Sequence, residues 1–341
     1  MNEQILAVII PAYNSGLYIS DALRSIQNQP SKDIKIIVVN DGSTDNTKNI
    51  VNEKIKHDSR IVLINQQNQG VSVARNTGIE YCIQHGFKYV AFLDSDDLWF
   101  DNFYTNKIKL QIFNGDHDLL HYNYLMVNSN ITRAKKHNGS FASYIYKIEI
   151  IQRFNIRFPE GIGINEDGIF HYIYSTYSKT CENKEYIFMY RNNHSSTSHN
   201  QFNVYNKYFN HAIKAWEFGE HYFKNNNISN SEKNINYCRI MQKTLIAEFI
   251  QQSIINGFSY KKIQELINQS QFLDIYSDNN IWLDEQSKNI ILLFKARNIK
   301  FYFKNRIKGL IFKITKKTNI LKFFDKKYYP IDLKYCLFNK F

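Results

Sequence analysis

Three carboxylates in four residues, Asp94, Asp96 and Asp97, close the apolar run in Lys88 to Trp99, KYVAFLDSDDLW. Adjacent anions repel one another unless a cation or a network of donors offsets their charge. A hard divalent ion, Mg2+ or Mn2+, bound through oxygen and shared with substrate phosphates, is the simplest offset. A solvated acidic turn is the other reading of an isolated DxDD. A second acidic pair, Glu166-Asp167, follows, with Asp167 73 residues beyond Asp94. Acids in the first turn of a helix stabilise it, and a carboxylate within reach of a hydroxyl can take its proton. There is no GxGxxG after the first apolar run and no GxxxxGK[ST] in the chain, so neither a dinucleotide-binding turn nor a P-loop is indicated.

These acids need elements to carry them. Tyr89 to Leu93 suits a strand buried on both faces, which puts the acids at the carboxyl end of a sheet, where α/β folds bind ligands. Ile5 to Ile10 (ILAVII) reads as a first strand whose end Pro11 marks. Ile19, Ala22, Leu23 and Ile26 have helical spacing, with Ser15 as the expected N-cap. Ile34 to Val39 is a second strand, closed by the turn-rich Asn40 to Asp45. Ile61 to Ile64 is a third, and Asn68-Gln69-Gly70 leads into a helix over 71–85. The β-α alternation predicts a Rossmann-like open, mostly parallel sheet flanked by helices. Further on, a helix is expected over 101–111 and a strand over 119–127, with Tyr122, Tyr124 and Met126 on an acceptor side. Residues 135–138 read as a polar hairpin or loop. A helix carrying Ile169, Phe170, Ile173 and Tyr177 follows the second acidic pair, a strand spans 185–191, and 192–200 is a polar loop. Residues 201–294 read as helical.

Four words in order, VIIPAYN, VVNDGSTD, NQGVSVARNTGI and FLDSDD, give the chain a close resemblance to the family 2 glycosyltransferases of the GT-A fold. The resemblance covers about residues 5–200. It implies that Pro11, Ala12, Tyr13 and Asn14 at the first strand end and Asp41 at the second hold the nucleoside. Tyr13 would be an aromatic wall, and Asp41 would accept from a uracil N3–H. It implies that Asn68 and Arg75 contact the nucleotide. It matches Asp94-Ser95-Asp96 to the family's DxD, with Asp94 near the ribose and Asp96 on a metal that bridges the diphosphate. Asp97 would orient the loop or face the acceptor. The ED pair implies Asp167 as catalytic base, with Glu166 orienting or touching the acceptor. Asn165 stands where the family often has Gly. His194 or His199 is a candidate for a third metal ligand.

The resemblance thus implies an inverting, metal-dependent transfer of a sugar from a nucleotide sugar, UDP-linked, to a glycan or lipid-linked glycan. The expected setting is a bacterial surface polysaccharide, lipooligosaccharide or teichoic-type polymer. A same-fold nucleotidyltransferase would carry a basic, Gly-rich first loop, which residues 5–20 lack. The rival from another class is a non-catalytic membrane- or nucleic-acid-binding protein led by a basic tail. Such a tail exists: residues 295–341 hold 14 Lys and Arg against 2 Asp, and residues 1–294 hold 29 of each sign. The whole net charge of +12 therefore lies in the last 47 residues. There Phe303, Ile307, Leu310, Ile311, Ile314 and Leu321 follow helical spacing, with Arg306, Lys313, Lys316 and Lys317 on other faces. An anionic membrane surface, nucleic acid and plain solvent are the three readings of such a segment. With a glycosyltransferase core the membrane is the expected partner, and nucleic acid is not. The organisation expected is a catalytic domain over 1–200, a helical region over 201–294 and a basic tail over 295–341. Four scattered cysteines without metal-site spacing, no apolar run near the ~20 residues that span a bilayer, and no recognisable signal peptide predict a cytoplasmic protein, peripheral on the membrane.

Overall fold

The structure, a computed structural model, describes residues 5–30, 33–113, 117–128, 135–137, 140–192, 205–226, 231–268, 285–298, 300–301 and 304–305. The chain forms two compact units, one ending its main run at Asn200 and the other beginning at Gln201.

In the first unit, strands β1 (Leu6–Ala12), β2 (Ile34–Asp41), β3 (Ile61–Gln66) and β4 (Tyr89–Phe92) alternate with helices α1 (Ile19–Gln27), α2 (Thr47–His57) and α3 (Val71–Gln84). β5 (Leu98–Trp99), α4 (Asn106–Phe113), β6 (Leu119–Asn128), β7 (Lys135–His137) and β8 (Tyr144–Lys147) follow. α5 (Ile148–Arg153), α6 (Glu166–Ser175) and β9 (Thr180–Asn192) complete it. Among the described residues the strands make one sheet in the order β3-β2-β1-β4-β8-β6-β9-β5, with β7 paired to β6. β1 to β4 are parallel, as βαβ crossovers require. β8 runs antiparallel to β4 and to β6, whereas β9 is parallel to β6. The result is the expected α/β sheet, parallel in its first half and mixed in its second.

Strand β1 continues through Pro11 to Ala12, two residues past the expected end. Side-to-side direction alternates along a strand, so Pro11 faces the same neighbour as Ile9. On that side the ladder has finished, with Leu93 N donating to Ile9 O at 3.0 Å. The next bond on that side would come from the N–H that proline lacks, so the pairing with β4 stops at Ile9. Ser15 does not cap α1, which starts later, at Ile19. Its carbonyl accepts from Tyr18 N and Ile19 N, both at 2.9 Å, in a turn before the helix, and its hydroxyl is committed elsewhere. Tyr122 and Tyr124 do not line an open acceptor face. Tyr122 is fully buried beside Phe103 and Tyr124 stacks on Phe188, because β6 is an interior strand covered on both sides. The Met126 side chain lies outside the described residues.

An aromatic cluster under the carboxyl end of β4 fixes α6. Phe158 and Phe170 stack with centroids 3.9 Å apart, and Phe92 meets both edge-on at 5.2 and 5.8 Å. Tyr146 adds a further edge contact to Phe170. Such pairs add about 0.5–1.5 kcal/mol each beyond the area they bury.

The second unit contains α7 (Tyr205–Asn225), α8 (Ser231–Asn256), α9 (Tyr260–Asn268) and α10 (Glu285–Lys295), in agreement with the helical spacing of its apolar residues. Trp216 of α7 meets Tyr237 of α8, and Tyr260 meets Phe294. Buried Glu220 accepts from Arg239 and Gln242 of α8. Asn305 is also buried, against Gln251 of α8. The apolar stripe expected from Phe303 to Leu321, with Arg306, Lys313, Lys316 and Lys317, lies outside the described residues.

Candidate active site

The loop that leaves β4 folds back on itself, with Asp97 N donating to Asp94 O at 3.0 Å. Asp94 and Asp96 remain half-buried, whereas Asp97 is only 1% exposed. Asp97 turns inward and accepts from the main-chain N of Arg191, at the end of β9, at 2.9 Å. It therefore orients the loop, one of its two expected roles. Ser95 lies 2.7 Å from Ser15, hydroxyl to hydroxyl, which ties the DSD loop to the loop after β1.

Arg75, on α3, joins the two acidic sites. Its Nη2 donates to Asp94 Oδ1 and its Nη1 to Glu166 Oε1, each at 2.9 Å. The guanidinium carbon lies 4.5 Å from the centre of the Phe141 ring and 5.2 Å from that of Phe158. Burial works against the Arg75 charge, yet Asp94, Glu166 and Asp167 more than compensate, and its pKa is raised. In turn burial, reinforced by the charge of Asp167, raises the Glu166 pKa despite the opposing pull of Arg75. Asp167, the next residue, is only half-buried, and its Oδ1 accepts from Gly168 N at 2.8 Å. Asn165 takes a left-handed conformation, φ 64°, immediately before α6. Glycine adopts that region freely and asparagine is the side chain that next best tolerates it. The substitution at 165 is thus compatible with the same turn.

The remaining expected residues gather at the carboxyl ends of β1, β2 and β3. Pro11 and Ala12 are buried and Tyr13 is 52% exposed, a ring open to a ligand. Asn14 works between loops: its Oδ1 accepts from Thr44 N at 2.8 Å and Asp45 N at 3.3 Å, and its own N donates to Ser43 Oγ. Asp41 accepts from Gln66 Nε2 and Gln69 N through Oδ1 and from Gly70 N through Oδ2, at 2.7 to 2.9 Å. Asp41 is buried, and these bonds occupy three of the about four acceptor sites of a carboxylate. Asn68 is exposed, and Gly42 presses against its backbone: a Cβ on Gly42 would stand 2.7 Å from Asn68 N. His194 and His199 lie outside the described residues.

Sequence reasoning missed Arg191 and the bridging role of Arg75. The contacts of Arg75 reach 19 and 91 positions along the chain, and that of Arg191 to Asp96 reaches 95. Neither leaves a local pattern to read.

This sheet, with acid-bearing loops at its strand ends, defines a GT-A α/β protein. Residues 7–166 match the family model Glycosyl transferase family 2, and the chain carries a family 2 glycosyltransferase domain. An uncharacterized glycosyltransferase of Rickettsia conorii is 34% identical over 167 residues, 48% of this chain and 26% of that protein. Glycosyltransferase GlyA of Streptococcus pneumoniae is 40% identical over 125 residues, 37% of this chain and 17% of that one. The chain thus spans about a quarter or less of these two relatives. In three dimensions residues 1–349 of S. aureus TarS, solved with UDP-GlcNAc, align with a TM-score of 0.63 at 17% identity, over 89% of this chain and 91% of that one.

Proposed function

We propose that the chain transfers a sugar from a UDP-sugar to a hydroxyl of a glycan acceptor, with inversion, in the synthesis of a bacterial surface polymer. The observation that carries this reading is the Arg75 bridge, which holds the DSD loop and the ED helix together at the carboxyl end of one sheet. Tyr13 and Asp41 supply an exposed ring and a remaining carboxylate acceptor for a nucleobase. The UDP-GlcNAc held by TarS supports a UDP-linked hexosyl or N-acetylhexosaminyl donor. The two relatives named above, both bacterial glycosyltransferases, support the bacterial part of this reading.

The reaction is a direct displacement. An acceptor oxygen forms a bond to the anomeric carbon as the bond to the diphosphate oxygen breaks, and UDP leaves with that electron pair. The acceptor proton passes to the Asp167 carboxylate. Arg75 keeps Glu166 in place beside it. Asp94 and Asp96 offer oxygen donors only, half-open to solvent, a set that fits Mn2+ or Mg2+. Among the described residues no cluster of three or more His, Cys, Asp or Glu forms, and phosphate oxygens and water are further ligands such an ion would take. Bound there, such an ion would offset the charge developing on the diphosphate.

Among the described residues no helix is long and apolar enough to cross a membrane. We assign the basic 295–341 segment to the cytoplasmic membrane surface, where lipid-linked glycan acceptors are presented.

The test is UDP release from a panel of nucleotide sugars with Mn2+. Asp96→Asn is expected to lose most activity with its fold intact. Undiminished wild-type activity in excess EDTA, or full activity of Asp96→Asn, would overturn the metal role. No UDP release with any donor or acceptor would overturn the reading as a whole.

A further inference from the structure

Besides its place in the β6–β9 ladder, Arg191, at the end of β9, has two contacts to the DSD loop and two to the region where α1 begins. Its main-chain N donates to Asp97 Oδ1 at 2.9 Å, and its Nε donates to the carbonyl oxygen of Asp96. Its Nη1 reaches Asp21 Oδ2 at 3.5 Å, and the guanidinium carbon lies 5.3 Å from the centre of the Tyr18 ring. The side chain is largely shielded from water, and Nη2 has no hydrogen-bond partner among the described residues.

We propose that Arg191 is a positioning residue that sets the orientation of Asp96 for metal-dependent donor binding. This rests on the nucleotide-sugar reading above. Arg191 Nε holds the Asp96 carbonyl, and that backbone sets the point from which the Asp96 side chain projects. The other end of the guanidinium is held by α1 through Asp21 and Tyr18, so the loop is referred to a rigid helix. Arginine suits the task because its planar fork reaches two acceptors at once and lays a cationic face on an aromatic ring. A lysine keeps the charge but gathers its donors at one point, so it cannot span Asp96 and Asp21 as the fork does. The bond from the Arg191 main chain to Asp97 does not depend on the side chain. Side-chain replacement therefore leaves the bond to Asp97 in place and removes the one to the Asp96 carbonyl, together with the contacts to Asp21 and Tyr18. Groups that hold a metal ligand in place rather than the metal are worth about 10- to 100-fold in metal affinity.

The experiment measures UDP binding to the full chain by calorimetry across a Mn2+ titration, with melting temperatures, for wild type, Arg191→Met and Arg191→Lys. Arg191→Met should need about tenfold more Mn2+ to half-saturate UDP binding. It should bind UDP without Mn2+ as wild type does, and Arg191→Lys should fall between. An unchanged Mn2+ requirement in Arg191→Met overturns the proposal. So does an equal loss of UDP affinity with and without Mn2+, which would mark a general structural role. If Arg191→Met melts far below wild type, Arg191→Lys decides: a raised Mn2+ requirement supports the proposal and an unchanged one overturns it. Wild type that binds UDP equally with and without Mn2+ overturns this proposal and leaves the donor reading standing. Wild type that binds no UDP overturns the donor reading and this proposal with it.

Discussion

Glu166 and Asp167 are adjacent acids in different surroundings, and the difference suits them to the two roles proposed. Glu166 is buried and tied to Arg75, a group with no freedom to approach an acceptor. Asp167 is half-open, and its Oδ1 accepts from the N–H of the next residue, a bond that leaves the carboxylate further acceptor sites. A base must reach the proton it takes. Asp167→Asn is therefore expected to keep UDP affinity and to lower transfer by about 10²- to 10⁴-fold. Binding calorimetry beside a UDP-release assay measures both. A variant that transfers at the wild-type rate would show that Asp167 is not the base. The acids themselves were legible, because DSD follows an apolar run and ED opens an amphipathic one. Their link was not. In the sequence Arg75 is expected at the nucleotide, and only folding brings residues 75, 94 and 166 together.

The position of Arg75 depends on how closely α3 lies on β1. Gly78, three residues further along α3, faces Ile9, and a Cβ there would stand 2.6 Å from Ile9 Cγ2. Ile9 is fully buried and β-branched, so it has little room to turn. Alanine would gain about 1 kcal/mol in helix propensity, but overpacking costs about 1–3 kcal/mol. Gly78→Ala should therefore be neutral to destabilising by up to about 2 kcal/mol. By moving α3 it should also weaken the Arg75 bridge and lower activity. Urea unfolding and UDP release measure the two effects, and a more stable, fully active variant would show that α3 has room to spare over β1. At this scale the four parallel strands were legible as apolar runs, and α1 and α3 as the helical stretches that follow the first and third of them. β5 and β8 were not, being two and four residues long. Their existence depends on pairing with β9, β4 and β6, partners far off in the chain. The start of α1 was misjudged because Ser15 forms a turn and binds Ser95 instead of capping the helix.

For the molecule as a whole, charge divides the chain at a point that matters for its partner. Residues 1–294 are net neutral, and residues 306–341, outside the described residues, hold 10 Lys and Arg against 2 Asp. The described packing of the second unit reaches Asn305, which is buried against α8. A chain ending at Asn305 therefore retains that packing and loses most of the positive excess. Each Lys or Arg near an anionic bilayer contributes about 1 kcal/mol, and only those facing the lipid count. Such attraction weakens with salt, since the Debye length falls from about 10 Å at 0.1 M to about 3 Å at 1 M. The shortened chain is expected to bind UDP as the full chain does and to stop co-sedimenting with phosphatidylserine vesicles. The full chain should sediment at low salt and much less at 1 M salt. Equal sedimentation of the two forms would refute a membrane role for the tail. A shortened chain that fails to fold would show that residues 306–341 serve the fold itself.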